Sequence, residues 1–157
     1  MKPYRKNVGI VIFNSKGEVL TGERIQFPGA WQFPQGGIDE GEDIEFAARR
    51  ELYEEVGIKD ATLIAEINEW IKYDFPPELN IKHLKNYQGQ TQKWFLYFWD
   101  KPVTMCNLLL HEQEFKEVRF QSLESTLESI VPFKLKVYEK IVTEFKPIIE
   151  NYIKRVL

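Results

Sequence analysis

Apolar residues fall in short clustered runs along most of the chain, and in a helical repeat in two places. Residues 7–13, NVGIVIF, are rich in β-branched side chains, which predicts a buried strand. Asn14-Ser15-Lys16-Gly17 reads as a turn, with residues 18–25 as the hairpin partner of the first strand. Residues 27–37 hold two prolines and read as a loop. Residues 61–73 predict a strand, with Ile64, Ile67, Trp70 and Ile71 as its apolar contacts. Residues 75–90 are loop-like, with Pro76-Pro77 and Gly89. Residues 93–99, KWFLYFW, predict a strongly apolar strand, and residues 114–120 another.

The helical repeats lie elsewhere. From Pro132 onward, Tyr138, Ile141, Val142, Phe145, Ile149, Tyr152 and Ile153 recur at i, i+3, i+4, which predicts a helix beginning at the proline. Pro147 should kink or divide it. Residues 43–56, wound at about 100° per residue, place Ile44, Ala47, Ala48, Leu52 and Val56 on one arc. Glu51, Glu54 and Glu55 fall within or at the edge of that arc, and Phe46, Arg49, Arg50 and Tyr53 toward the other side. The expected architecture is α/β, a mixed sheet with one helix on each face.

Composition narrows this picture. The 157 residues, 43% hydrophobic and 14% aromatic, suit one domain spanning residues 1–157. No run of about 18 apolar residues exists, so no membrane span is expected. The opening MKPYRKNVGIVIF lacks a signal-peptide pattern, since polar residues return at Asn14 and Ser15. The single cysteine, Cys106, excludes an internal disulfide, and a reducing cytoplasm is the expected compartment. A net charge of −3 gives no sign of a DNA-binding face. Basic clusters at Lys2, Arg5 and Lys6, and at Lys134, Lys136 and Lys140, read as solvated surface. His83 and His111 fit no metal-ligand spacing and read as exposed loop residues. A monomer is expected.

The acids on the first helix change the picture most. A plain surface helix sends its carboxylates outward, whereas Glu51, Glu54 and Glu55 sit at i, i+3 and i+4 and converge beside the packed face. Three like charges that close raise each other's cost of ionisation. A hard divalent cation, Mg²⁺ or Mn²⁺, reverses that cost. Arg50, one turn before Glu54, is placed to orient a carboxylate. Gly36 and Gly37 let the backbone approach a metal or a phosphate, so Gly36 joins the candidate metal site. Gly57 suits the left-handed position after the helix.

The stretch from Gly36 to Ile58, GGIDEGEDIEFAARRELYEEVGI, meets the pattern G-x5-E-x7-R-E-U-x-E-E-x-G-U, with U aliphatic, at every fixed position. The chain therefore resembles the Nudix hydrolases. That resemblance implies an α/β/α sandwich with a mixed sheet between the box helix and a long C-terminal helix. It also implies metal-assisted attack of water on a phosphorus of a nucleoside diphosphate derivative.

Segments outside the box, YRKNVGIVIFN, AWQFPQGGIDEGE, GQTQKWFLYF, QEF and VPFKLKVYEKI, resemble the branch that hydrolyses RNA 5′ ends or diadenosine polyphosphates. By this resemblance Glu51, Glu54 and Glu55 are the metal ligands, and Glu114 is a further acid that binds a metal or handles the water. Arg5 lies near the bound 5′ end, and Gln92 and Lys93 along the phosphate path. Val131 and Phe133 hold a base, with Lys134 beside them. Tyr73 either stacks on a base or packs a strand end. The loop EQEFKEVRF departs from the pattern in lacking a tryptophan after its acid. The implied activity is conversion of 5′-triphosphate RNA to 5′-monophosphate RNA. The alternatives are a dinucleoside polyphosphate or (d)NTP hydrolase, and a catalytically silent nucleotide-sensing or interaction module. The intact glutamates speak against the silent module.

Overall fold

A computed structural model of the chain describes residues 1–157. The strands are β1 (Tyr4–Phe13), β2 (Glu18–Arg24), β3 (Trp31–Gln32) and β4 (Gln35–Gly37), followed by the helix α1 (Ile44–Val56). After α1 come β5 (Thr62–Glu66), β6 (Ile71–Asp74), β7 (Gly89–Phe98) and β8 (Phe115–Ser122), then a single turn, α2 (Thr126–Ser129), and the long α3 (Leu135–Val156). All eight strands join one mixed sheet. At its centre β1 and β7 run parallel over ten residue pairs, from Tyr4↔Gly89 to Phe13↔Phe98, and every other pairing is antiparallel.

The alternation of β1 and β7 explains why helices cover both faces. Val8, Ile10, Ile12, Phe95 and Tyr97 pack with Ala47, Ala48, Leu52 and Val56 of α1. Val11, Phe13, Trp94 and Leu96 pack on the other face with Val137, Tyr138, Ile141, Phe145 and Ile149 of α3. Strands buried on both sides read as continuous apolar runs, as residues 7–13 and 93–99 do. Each large side chain fully enclosed here contributes about 1.5–3 kcal/mol through burial. The fold is the α/β/α sandwich expected from the resemblance.

Four local expectations need correction. β2 meets β1 only at Phe13↔Val19 and then runs along β8, from Glu18↔Ser122 to Arg24↔Phe115, so it is barely a hairpin partner. The rest of that edge of β1 is taken by β4, which pairs at Asn7↔Gly37 through Gly9↔Gln35. The proline-bearing segment 27–37 is thus partly strand, holding both β3 and β4. Residues 61–73 are not one strand but β5 and the start of β6, both paired with β7; Ile67 still donates its N–H to the Trp94 carbonyl and buries its side chain, and the chain bends at Asn68 and Glu69 before β6 begins. Finally, Pro147 does not divide α3. Both Pro147 and Thr143, whose carbonyl loses its helical donor, are exposed, so water can take that place, while Phe145 and Ile149 anchor both sides in the core.

Candidate active site

The box helix is fixed at both ends. The Asp43 carboxylate accepts the Phe46 N–H at 3.0 Å as the N-cap, an arrangement worth about 1 kcal/mol. Gly57, at φ 75°, closes the helix in the left-handed conformation and donates its N–H to the Tyr53 carbonyl. Between these ends, Glu51, Glu54 and Glu55 line a cleft of 430 Å³ together with Glu114, Arg5 and Arg24. Gly36 borders it, and a Cβ at that position would overlap the Glu51 carboxylate. A Cβ at Gly37 would overlap the Arg5 guanidinium. The two glycines therefore let the β4 backbone, an acid and a base occupy adjoining space.

Arg50, one turn before Glu54, reaches the acids from the outer side of the helix. It folds back along the helix and uses all five of its N–H donors. Nε and Nη2 grip Glu42 at 2.6 and 2.9 Å, Nη1 reaches Glu51 at 2.8 Å and Glu54 at 3.1 Å, and Nη2 also reaches the Gly37 carbonyl at 2.9 Å. Glu42 in turn accepts the Asp39 N–H at 2.9 Å. The Arg50 hydrogen bond holds the Glu42 carboxyl below the ordinary range and raises the Arg50 guanidinium further above its own.

Glu51 and Glu55 behave differently. Burial raises the Glu51 carboxyl, against the opposing Arg50 hydrogen bond. Glu55 is 6% exposed, and burial, helped by the nearby Glu51 charge, pushes its carboxyl well above the usual range. It accepts the Gln35 N–H at 2.9 Å. Two desolvated carboxylates facing a polar cleft have a clear deficit of positive charge. The donor set is all oxygen, which suits a hard divalent cation. No three acidic, histidine or cysteine side chains yet stand together as a ready ligand cluster. Arg50 Nη1 holds Glu51 and Glu54, and the Gln35 N–H holds Glu55.

Glu114 reaches the cleft from the loop before β8, half-exposed and 3.6 Å from the Arg24 guanidinium. Arg5, at the start of β1, donates from Nη1 to Gln90 Oε1 at 2.8 Å. Asn7 also donates to that oxygen at 3.2 Å, and Gln90 Nε2 donates to the Tyr73 hydroxyl at 2.5 Å. Tyr73 is buried and packs beside Phe133, ring centroids 6.0 Å apart, and burial pushes its hydroxyl up to about 12.

A second cavity, of 780 Å³, opens next to the acidic cleft and is lined by Phe27, Pro76, Leu79, Ile81, Val131 and Phe133. A small pocket of 40 Å³ lies between the two, bordered by Arg5, Arg24, Tyr73, Gln90, Phe133 and Lys134. Polar groups on its wall and directly behind it are under-satisfied. Arg24 Nε and Gln32 Nε2 are buried without a hydrogen-bond partner. Lys134, 8% exposed, donates only to Gln32 Oε1, at 3.1 Å. Burial, then repulsion from Arg24, brings its ammonium down to about 7. Lys134 is therefore not the solvated surface cation expected of its cluster.

Two candidates lie elsewhere. Lys93 sits on the α1 face, donating to the Asn68 carbonyl at 2.7 Å and standing 3.8 Å from Glu66. Gln92 is 2% exposed and donates to Asn7 Oδ1 at 2.8 Å. Neither lines the acidic cleft or the aromatic cavity. Alternation along β7 puts Lys93 on the α1 face with Phe95 and Tyr97, while Gln90 and Gln92 share the opposite face with Trp94 and Leu96, Gln90 at the site and Gln92 two residues further into the core. Gln90, Arg24 and Gln35 were missed in the sequence. His83 and His111 are exposed as expected, yet both border the cleft.

The chain matches the NUDIX domain across residues 3–141, and it belongs to the Nudix family. It is accordingly a hydrolase of pyrophosphate bonds. Among relatives, an RNA pyrophosphohydrolase of Wolbachia pipientis is 44% identical, covering 97% of this chain and 95% of that protein. An RNA pyrophosphohydrolase of Caulobacter vibrioides is 47% identical, covering 91% of this chain and 86% of its own. A solved structure of a MutT protein from Methanosarcina mazei aligns with a TM-score of 0.69 at 22% identity, over 92% of this chain and 97% of its own. That last likeness concerns the fold. No helix is long and apolar enough to cross a membrane.

Proposed function

We propose that this chain is an RNA 5′-pyrophosphohydrolase, which removes pyrophosphate from triphosphorylated RNA and leaves a 5′-monophosphate. The observation that carries the reading is the adjacency of the acidic cleft and the aromatic cavity, joined by a pocket of under-satisfied cations. A polyphosphate has a place at one end and a base at the other. The RNA pyrophosphohydrolases of Wolbachia and Caulobacter, alike along nearly the whole chain, support the same substrate.

In this reading Glu51, Glu54 and Glu55, with Glu114 opposite, hold divalent metal, and Gly36 leaves the space for it. When bound, Mg²⁺ or Mn²⁺ supplies charge neutralisation at the phosphoryl oxygens and acidifies the attacking water. Arg50 positions Glu51 and Glu54. A cleft glutamate takes the proton of the water. Arg5 and Arg24 bind phosphate oxygens through charge-assisted hydrogen bonds. Val131 and Phe133 hold a base, and Lys134 offers its free N–H donors toward the same ligand. Residues 1–157 act as one catalytic domain, monomeric and cytoplasmic.

The test is a comparison of kcat/KM, with Mg²⁺ or Mn²⁺, on short 5′-triphosphate RNA, diadenosine tetraphosphate and the (d)NTPs. RNA is expected to be the best substrate. RNA as the poorest substrate overturns the assignment in favour of a nucleotide hydrolase.

A further inference from the structure

On the far side of segment 75–88 from the aromatic cavity lies a groove of 640 Å³, lined by Lys2, Phe75, Pro77, Leu84, Lys85 and Tyr87 among others. It shares Pro76, Leu79 and Ile81 with the aromatic cavity, so one stretch of chain is the wall between them. The wall is tied down. Lys2 Nζ donates to the Lys85 carbonyl at 2.7 Å, the Gln88 N–H to the Pro3 carbonyl at 2.8 Å, and the Phe75 N–H to the Gln88 carbonyl at 3.0 Å. No carboxylate lines the groove; Glu78, the one acid of the segment, lines the aromatic cavity instead.

We propose that this groove carries the RNA chain downstream of the nucleotide seated at Val131 and Phe133. The inference rests on the RNA reading above and extends it to a second binding site. Two lysines without an acid among them, flanked by Phe75 and Tyr87, provide what a single strand needs: cations for the backbone and aromatic faces for unstacked bases. An acidic peptide would use the lysines but leave the aromatic faces idle, and a free nucleotide does not extend past the wall. The strand leaves the aromatic cavity over Pro76 and Leu79 and enters the groove.

The experiment measures kcat/KM on unstructured triphosphorylated RNAs of two, four and eight nucleotides. The enzymes are the wild type, a Lys2→Ala/Lys85→Ala double variant and Lys85→Glu. The wild type is expected to gain efficiency as the RNA lengthens. Each lysine removed should cost roughly two- to fivefold on the eight-mer; Lys85→Glu, which keeps the Lys2 tie to the residue-85 carbonyl, should leave the dinucleotide rate and the melting temperature unchanged. The double variant should also show a shallower salt dependence, since fewer phosphates are neutralised. A wild type indifferent to length, or a double variant that keeps the full gain, overturns the groove while leaving the RNA reading intact. Failure to hydrolyse any RNA overturns both.

Discussion

Arg50 and Glu42 form a two-point grip, Nε to Oε2 at 2.6 Å and Nη2 to Oε1 at 2.9 Å, across the first two turns of the box helix. Glu42 anchors the guanidinium, and the remaining donors of Arg50 fix Glu51 and Glu54. A planar fork does this, and a point charge cannot. Arg50→Lys should therefore lower metal affinity or activity by about 10–100-fold. Metal titration and steady-state kinetics on a variant that melts cooperatively provide the check; wild-type values in both would dissolve the positioning role.

Glu55→Gln should abolish turnover while the metal-free protein gains stability at neutral pH. The sign follows from its raised carboxyl. The folded state holds a proton that the unfolded chain has already released, so wild-type stability falls as pH rises above the ordinary carboxylate range, about 4.3. The glutamine variant lacks that decline. Urea titrations between pH 4 and pH 8, with a chelator present, should show the two curves diverging as pH increases.

Lys134 gives the opposite slope. Its folded value of about 7 lies below the usual lysine range, so the unfolded chain binds more protons at alkaline pH. Stability should rise as pH climbs from about 7 to about 10. Lys134→Met should be the more stable protein at pH 6.5, with its advantage shrinking toward pH 9.5. Denaturant midpoints at three pH values test this; a constant difference would show that the ammonium is not desolvated.

Gly36→Ala should displace the Glu51 carboxylate, since the added Cβ takes its space. The expected signature is a fall in kcat at saturating substrate and a higher metal requirement, without loss of the circular dichroism spectrum. A variant with normal metal dependence would mean that the approach of β4 to Glu51 has no part in catalysis.

Phe133→Ala removes one wall of the base-holding cavity. Loss of a stacking face costs about 1–3 kcal/mol, so KM for RNA should rise roughly 5–150-fold with kcat little changed. Inorganic polyphosphate, which has no base, makes the control. An equal loss on both substrates would assign Phe133 to packing alone.

The sequence showed the chemistry of the box more readily than its geometry. Spacing along α1 revealed the converging glutamates and the glycine that ends the helix, because those depend on neighbours a turn apart. It could not reveal that Arg50 bends back toward Glu42, since that depends on how the turn at residues 37–43 folds over the helix. The segment GQTQKWFLYF pointed to Gln92 and Lys93 by resemblance alone. Which of its residues meets the site depends on the pairing of β7 with β1, 85 positions away, which sets Gln90 beside Arg5. Lys134 looked solvated because the side chains that bury it, near Gln32 and Tyr73, are distant in sequence.

The parallel pairing of β1 with β7 has a consequence for how the molecule comes into being. Arg5 and Gln90, paired in register, are 85 positions apart along the chain. Parallel contacts between such distant residues carry a large loop-closure cost and form slowly. During synthesis β1 must wait, unpaired on that edge, until β7 has left the ribosome. The anion-binding end of the site is thus assembled by one of the longest-range closures of the fold, and a truncated or stalled chain cannot acquire it in advance.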